Sequence, residues 1–404
     1  MSLPLLGTTV LDLGDEPVAL ASRLLADLGA DVIRVESVAG DWLRQRGPFV
    51  ADEPGIERGL AHILYNAGKR SLAVDFERPE AWDLIRSLAS RCDVVIAPLK
   101  RNGSVEAFLK TVGGTGSPTG VVEPVFRRGS HAEATDLIGI AAGGQLYLNG
   151  YSEEAPNHPA GNLAYKQLSL ACALAAMSMV LEKAAARSPG CVEVSMQEAV
   201  MWTTIQSANE NYWHWHKMSP SRRGLENVGG QTVFPARDGK YVSLYHHPPA
   251  FPAFARWYAE VTGDGRFTLP PWDDGFYRFE HATEISEITA RLCASMDRDA
   301  IVAEGQKRGI LAVPIQDVAD IARDPHLRER NFFQRIWLEQ LGAELEVMRA
   351  PFVSSAYSME PKAPPALGEH SREVLRDLCG MNSQRIDALV AGGVVGALAQ
   401  RVRA

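Results

Sequence analysis

Cysteine is scarce, with five in 404 residues at positions 92, 172, 191, 293 and 379, and no CxxC among them. Such spacing offers neither a disulfide framework nor a thiolate metal site, and reduced thiols fit a cytoplasmic location. Positive charge is also short: 41 Lys and Arg stand against 49 Asp and Glu, a formal net charge of −8. That balance exerts no pull on nucleic acid or anionic lipid, so any anionic ligand has to be held by a local basic pocket. The longest apolar stretch, Leu168 to Leu181, is too short to span a bilayer and reads as a buried helix. No basic-then-apolar leader opens the chain. Neither a nucleic-acid nor a membrane partner is expected.

A dinucleotide fingerprint is missing as well. Where GxGxxG would open the first helix, the chain has Gly14-Asp15-Glu16-Pro17. Two carboxylates there oppose a pyrophosphate, which needs bare N–H groups, and they read as ordinary charges at a helix N-terminus. Histidines cluster only as His214-Trp215-His216 and His246-His247. Residues two apart on a helix point to different faces, so no metal site is expected.

What is present is a regular alternation of two periods. Thr8–Leu13, Asp31–Glu36, Ser71–Asp75 and Asp93–Ala97 are short apolar runs that read as strands. Between them lie helical stretches from Val18 to Leu28, stopped by Gly29, and from Pro79 to Ala89. Strand, helix, strand with short connections implies an α/β fold with a parallel, Rossmann-like sheet. Two long helices are expected next, over Ala164–Ala186 and Ser195–His216, around a brief strand at Cys191–Ser195. After Arg222 the texture changes to a hairpin, Thr232–Pro235 with Lys240–Leu244, and an aromatic-rich stretch that includes Trp257, Phe267 and Trp272. This predicts a smaller α+β domain over 216–325, between a large-domain part at 1–215 and a return at 326–404. The Pro- and Ser-rich segment Ala350–Pro365 reads as an extended linker, with a last helix from near Ser371. Trp202, Trp213 and Trp215 read as core or interface anchors.

Four stretches carry a family likeness. The first runs from Val10-Leu11-Asp12-Leu13 through Leu24–Glu36 to Gly40-Asp41 and Arg44. The second is Asn66-Ala67-Gly68-Lys69-Arg70-Ser71-Leu72, and the third Met196-Gln197-Glu198-Ala199-Val200. The fourth is Ala366-Leu367-Gly368-Glu369-His370 leading to Glu373-Val374-Leu375. In this order and spacing the chain resembles the class III CoA-transferases, the family of formyl-CoA and carnitine-CoA transferases and of methylacyl-CoA racemase. The resemblance implies a large domain built from both chain ends, a small domain from the middle, and interlocked dimers with active sites between chains. It also implies CoA or acyl-CoA as substrate, with no permanently bound cofactor.

The family's reaction requires a carboxylate nucleophile. An Asp attacks the thioester to give a mixed anhydride; the CoA thiolate returns to give an aspartyl thioester, which the acceptor acid displaces. Counting back from Leu181-Glu182 without gaps, the resemblance puts Lys166 at that Asp position, and Ala164, Tyr165, Gln167 and Leu168 are not acids either. An amine would be acylated to an amide, which neither thiolate nor carboxylate reopens. No catalytic residue for the transferase cycle is therefore expected in this chain alone. In the racemase branch a His–Asp pair and a Glu move an α-proton. Here the His position falls on Thr135 beside a retained Asp136, and the Glu position falls near His247. For CoA, the candidate contacts are Lys69, Arg70, Asn66 and Lys100, cations and an amide on loops where nucleotide phosphates could sit.

Three functional classes follow. The chain is a subunit of a heteromeric CoA-transferase, paired with an Asp-bearing paralogue, with Lys166 holding a second carboxylate of a dicarboxylic acid. Alternatively it is an autonomous, isomerase-like acyl-CoA enzyme using Lys166 as base, or a non-catalytic acyl-CoA-binding protein.

Overall fold

The computed structural model describes residues 2–114, 116–130, 132–150, 154–203, 212–217, 232–245 and 248–398. Residues 204–211 of the expected Ser195–His216 helix, Gly229-Gly230 and His246-His247 lie outside them. The chain divides into two compact units, one of residues 1–150, 154–217 and 331–404, the other essentially residues 218–330.

The larger unit is organised by seven strands: β1 (Thr9–Asp12), β2 (Asp31–Ser37), β3 (Arg70–Val74), β4 (Val94–Ile96), β5 (Gly120–Val125), β6 (Cys191–Ser195) and, near the chain end, Val395–Gly396. Their order places the last strand beside β3, followed by β2, β1, β4, β5 and β6. Pairing is parallel throughout except at the Val395–Gly396 edge, which runs antiparallel to β3. Strand order reverses between β1 and β4, where β1 pairs with both β2 and β4.

Helices cover both faces: α1 (Ala19–Asp27), α2 (Leu60–Asn66), α3 (Pro79–Ala89), α4 (Gly103–Val112), α5 (Asp136–Ala142), α6 (Leu163–Ala184) and α7 (Met196–Thr203). The period of two decides which core each strand residue joins. Val10, Val32 and Ile96 pack with α1 and α6, whereas Leu11, Ile33 and Val95 pack with α3 and α4 on the opposite face. Each such residue, being fully buried, contributes about 1.5–3 kcal/mol. Val374, Leu375, Ile386 and Leu389 of the C-terminal return complete that second core.

In α6 the inner face (Leu168, Cys172, Ala176, Met179) packs into the first core. Its outer face carries Leu170, Leu174, Met177 and Leu181 in the open. By length and composition α6 is the one described helix that could cross a membrane, and its inner face is instead part of the core.

The smaller unit has an antiparallel sheet, β7 (Val233–Pro235), β8 (Tyr241–Tyr245) and β9 (Leu311–Ile315), with α8 (Phe251–Thr262), α9 (Ala282–Ala294) and α10 (Arg298–Lys307). The expected hairpin is there, with Val233 opposite Ser243. In the larger unit a second hairpin, β10 (Phe333–Leu338) with β11 (Ala343–Met348), was not anticipated, although Ala343 to Val347 alternates after Gly342. Residues 350–366 form neither helix nor strand, as read from their composition. The fold ends with α11 (Ser371–Asp377), α12 (Ser383–Ala391) and the edge strand β12 (Val395–Gly396).

Candidate functional site

In an open parallel sheet, ligands settle beyond the carboxyl ends of the strands where strand order reverses. Here that is the crevice between the loops after β1 and β4. A cavity of about 470 Å³ lies there, lined by Asp15, Glu16, Trp42, Leu99, Lys100 and Tyr165 among others. Asp15 does not serve α1: its two carboxylate oxygens accept from the backbone N–H groups of Leu99 at 3.0 Å and Lys100 at 2.9 Å. Burial pushes the Asp15 carboxyl up, opposed by those two N–H donors. Glu16 pairs with Arg46 at 3.1 Å and accepts from Asn162 Nδ2 at 3.1 Å. Lys100 faces Glu133 across the same opening at 3.6 Å.

Beneath the crevice lies a buried polar cluster. Lys69 Nζ donates to Asp12 Oδ2 at 2.9 Å, Ser22 Oγ at 2.8 Å and Asn66 Oδ1 at 2.9 Å. Arg34 reaches Asp12 at 3.3 Å, Asp41 at 2.6 Å and the Gly14 carbonyl. Arg44, wholly buried, joins Glu36 at 2.7 Å, Glu57 at 2.6 Å and the Pro365 carbonyl at 3.1 Å. Ser71 Oγ donates to Glu36 at 2.7 Å and accepts from the Gly368 N–H at 2.8 Å.

The N-terminus of α6 forms the far wall. Asn162 takes a left-handed φ of 51° just before the helix, a conformation its short amide side chain tolerates. Ser169 Oγ donates to the Pro17 carbonyl at 2.9 Å, locking α6 against the β1 loop. Lys166 sits half-buried in the first turn, with Nζ beside Gly161. Asp136, nearly buried, accepts from the Tyr165 N–H at 3.1 Å and pairs with His158 Nε2 at 2.8 Å. Asp136 thus holds the helix start with one oxygen and orients an imidazole with the other.

The model of CoA-transferase family III matches residues 5–108 and 127–371 of this chain. The chain belongs to that family.

Among its relatives, the BbsE subunit of succinyl-CoA:(R)-benzylsuccinate CoA-transferase from Thauera aromatica is 29% identical, over 96% of this chain and 97% of that protein. The beta subunit of succinyl-CoA–L-malate CoA-transferase from Chloroflexus aurantiacus is 25% identical, over 98% of each chain. In structure the chain is similar to a CaiB/BaiF family protein from Brucella suis, with a TM-score of 0.76 at 23% identity, covering 94% of this chain and all of that one.

Within this family III member the expected CoA contacts fare unequally. Lys69 and Asn66, read as loop residues facing phosphates, are interior: the Lys69 side chain is 0% exposed and bonded to Asp12. The correction has a plain cause, since Asp12 and Lys69 are 57 residues apart and their meeting is a tertiary fact. Arg70 pairs with Asp31 and with Glu373. Of the four, Lys100 alone lines the crevice. Asp15 is likewise corrected from a helix charge to an acceptor between loops, because no side-chain bond to its own helix forms. His158 was missed; it lies on an irregular segment without periodicity, and supplies Asp136 with an imidazole that Thr135 does not. Trp202, Trp213 and Trp215 are exposed, which removes the core half of their reading.

Proposed function

We propose that this chain is the aspartate-less subunit of a heteromeric CoA-transferase, working with a paralogue that supplies the nucleophile. The observation that carries the reading is Lys166 in the first turn of α6, at the position the resemblance gives the nucleophilic Asp, with no acid from 164 to 168. An amide formed at lysine would end the cycle after one turnover. Relatives over nearly the full chain are named as subunits of succinyl-CoA transferases, which supports a partner and a dicarboxylic acyl group. Lys166 would then hold the second carboxylate as a point charge.

A partner surface also supports the reading. Leu170, Leu174 and Met177 of α6, with Trp202, Phe352 and Tyr357, line an apolar recess of about 710 Å³. Several of these are large and open to water: Trp202 is 82% exposed. Contiguous apolar surface of this kind is presented by protein interfaces, ligand grooves and membrane contacts alike, and in the two-chain reading the partner covers it. The compartment consistent with this reading is the cytoplasm. Affinity purification from the native host should recover an Asp-bearing homologue with this chain. Recovery of a homodimer without one would overturn the proposal.

The His158–Asp136 pair favours one second reading, an autonomous enzyme that moves a proton α to a thioester carbonyl. Incubation of the purified chain with acyl-CoAs in deuterated water separates the two. α-Deuterium incorporation lost in His158→Gln would support the second reading; no incorporation across a broad panel would remove it.

A further inference from the structure

Lysines in this chain mostly sit against an acid. Lys69 pairs with Asp12, Lys100 with Glu133, Lys183 with Asp93, Lys240 with Asp320 and Lys307 with Glu304. Lys166 is half-buried, yet no carboxylate among the described residues pairs with it. A cation drawn partly out of water ordinarily has a counter-charge, so here a ligand is left to supply one or to react. Helix side chains lean towards the helix N-terminus, and Lys166 reaches back to Gly161 at the start of α6. That end is fixed from two sides: Asp136 accepts from the Tyr165 N–H, and Asn162 donates to Glu16 in the crevice. Tyr165, the preceding residue, itself lines the crevice.

We propose that Lys166 is a site of Nζ-acylation by a dicarboxylic acyl-CoA, and that this modification switches the subunit off. The inference rests on the CoA-transferase reading above and deepens the role given there to Lys166. A dicarboxylic acyl group carries a carboxylate at one end and the thioester at the other, only a few bonds apart. Held by its carboxylate, it meets Lys166 as an ammonium, and nothing reacts. Held the other way round, it brings the thioester carbonyl to the unprotonated amine. The amine nitrogen then attacks the carbonyl carbon: the C–N bond forms, the C–S bond breaks, and the departing CoA thiolate takes up the proton lost from nitrogen. No oxidant or further reactant enters the balance. The start of a helix favours the negative charge that develops on the carbonyl oxygen. The product is a neutral amide ending in the free carboxylate of the acyl group, so a positive side chain becomes a negative one. It then repels the substrate carboxylate that it formerly held.

The test is peptide mass spectrometry on the full-length chain after timed incubation with succinyl-CoA. Lys110 serves as the internal reference, being exposed on α4, without an acidic partner among the described residues and outside the crevice lining. Succinylation at Lys166 should run at least about tenfold faster than at Lys110, because a bound acyl group is presented at high effective concentration. Excess free CoA should suppress labelling at Lys166 and leave Lys110 unchanged. Equal rates at the two lysines, no labelling at Lys166, or labelling there that CoA does not suppress would each overturn the inference. In the complex with its partner, transferase activity should fall in proportion to the amide found at Lys166, and full activity at high occupancy would overturn the switch. A copurifying Asp-bearing partner with no preference for Lys166 sinks this inference alone. A homodimer whose Lys166 is labelled selectively sinks the two-chain reading and leaves the modification site standing.

Discussion

Lys69, Asp12 and Arg34 form an ion cluster that water does not reach, and its energetics are set by what each charge would lose alone. Burial by itself raises the Asp12 carboxyl, but Lys69 and Arg34 outweigh it and hold the carboxyl below its ordinary 3.8. Replacing Asp12 with Asn should cost about 3–5 kcal/mol at neutral pH, because two buried cations lose their counter-charge. Wild-type stability from this group is complete above pH 3.8 and is lost as pH falls through the depressed folded value. Denaturant unfolding at pH 7 and in acid should therefore show the gap between wild type and Asp12→Asn shrinking in acid. His62 behaves differently: burial and the nearby Arg44 push its imidazole from 6.5 down to about 3. Between those values the unfolded chain binds a proton that the folded chain refuses, so stability falls with pH by up to about 1.4 kcal/mol per unit. His62→Gln should flatten that slope in the same measurement.

Helix α6 has two faces with different duties, and its even hydrophobicity conceals them. The inner face packs on the sheet, and the outer face repeats Leu170, Leu174, Met177 and Leu181 at helical spacing. Leu174, 60% exposed, tolerates a charge in the isolated chain: Leu174→Lys should shift stability by less than about 0.5 kcal/mol. The same change should abolish recovery of the partner by affinity purification; unaffected recovery would remove α6 from the interface. Helices α5 and α7 meet closely at Gly143, where an added Cβ would lie 2.3 Å from Val200 Cγ1. Gly143→Ala should lower stability by about 1–3 kcal/mol, with Val200→Ala restoring part of it in thermal melts.

The larger unit is closed by its own chain end, and one arginine does much of the fastening. Arg44 binds Glu36 of β2, Glu57 and the Pro365 carbonyl, while the Leu367 N–H donates to Glu57 at 2.9 Å. Arg44→Met would leave Glu36 buried without its cation and should cost about 3–5 kcal/mol. Limited proteolysis should then cut faster within residues 350–366, where no helix or strand protects the backbone. Three of the four stretches that carried the family likeness converge here. Asp12, Arg34, Glu36, Asp41, Arg44, Lys69, Ser71 and Gly368 all belong to one connected set of hydrogen bonds. Of these only Lys69 read from the chain as a ligand contact, and the fold uses it with the others to join distant segments.

The sequence by itself determined the alternation of strands and helices from Thr9 to Ile96, the hairpin at Val233–Tyr245, and the absence of an acid near Lys166. Each is a local property, fixed by a period of two or 3.6 residues or by side-chain identity. Strands β5, β9, β10, β11 and β12 escaped the reading, though the alternation from Ala343 to Val347 was available for β11. Only the tertiary structure decided that Lys69 faces inward, that Asp15 bridges to Leu99 and Lys100, and that His158 meets Asp136. Those pairs are separated by 22 to 85 residues. Periodicity carries no record of which charges will meet across such distances; that depends on strand order and on where the loops converge beyond the sheet.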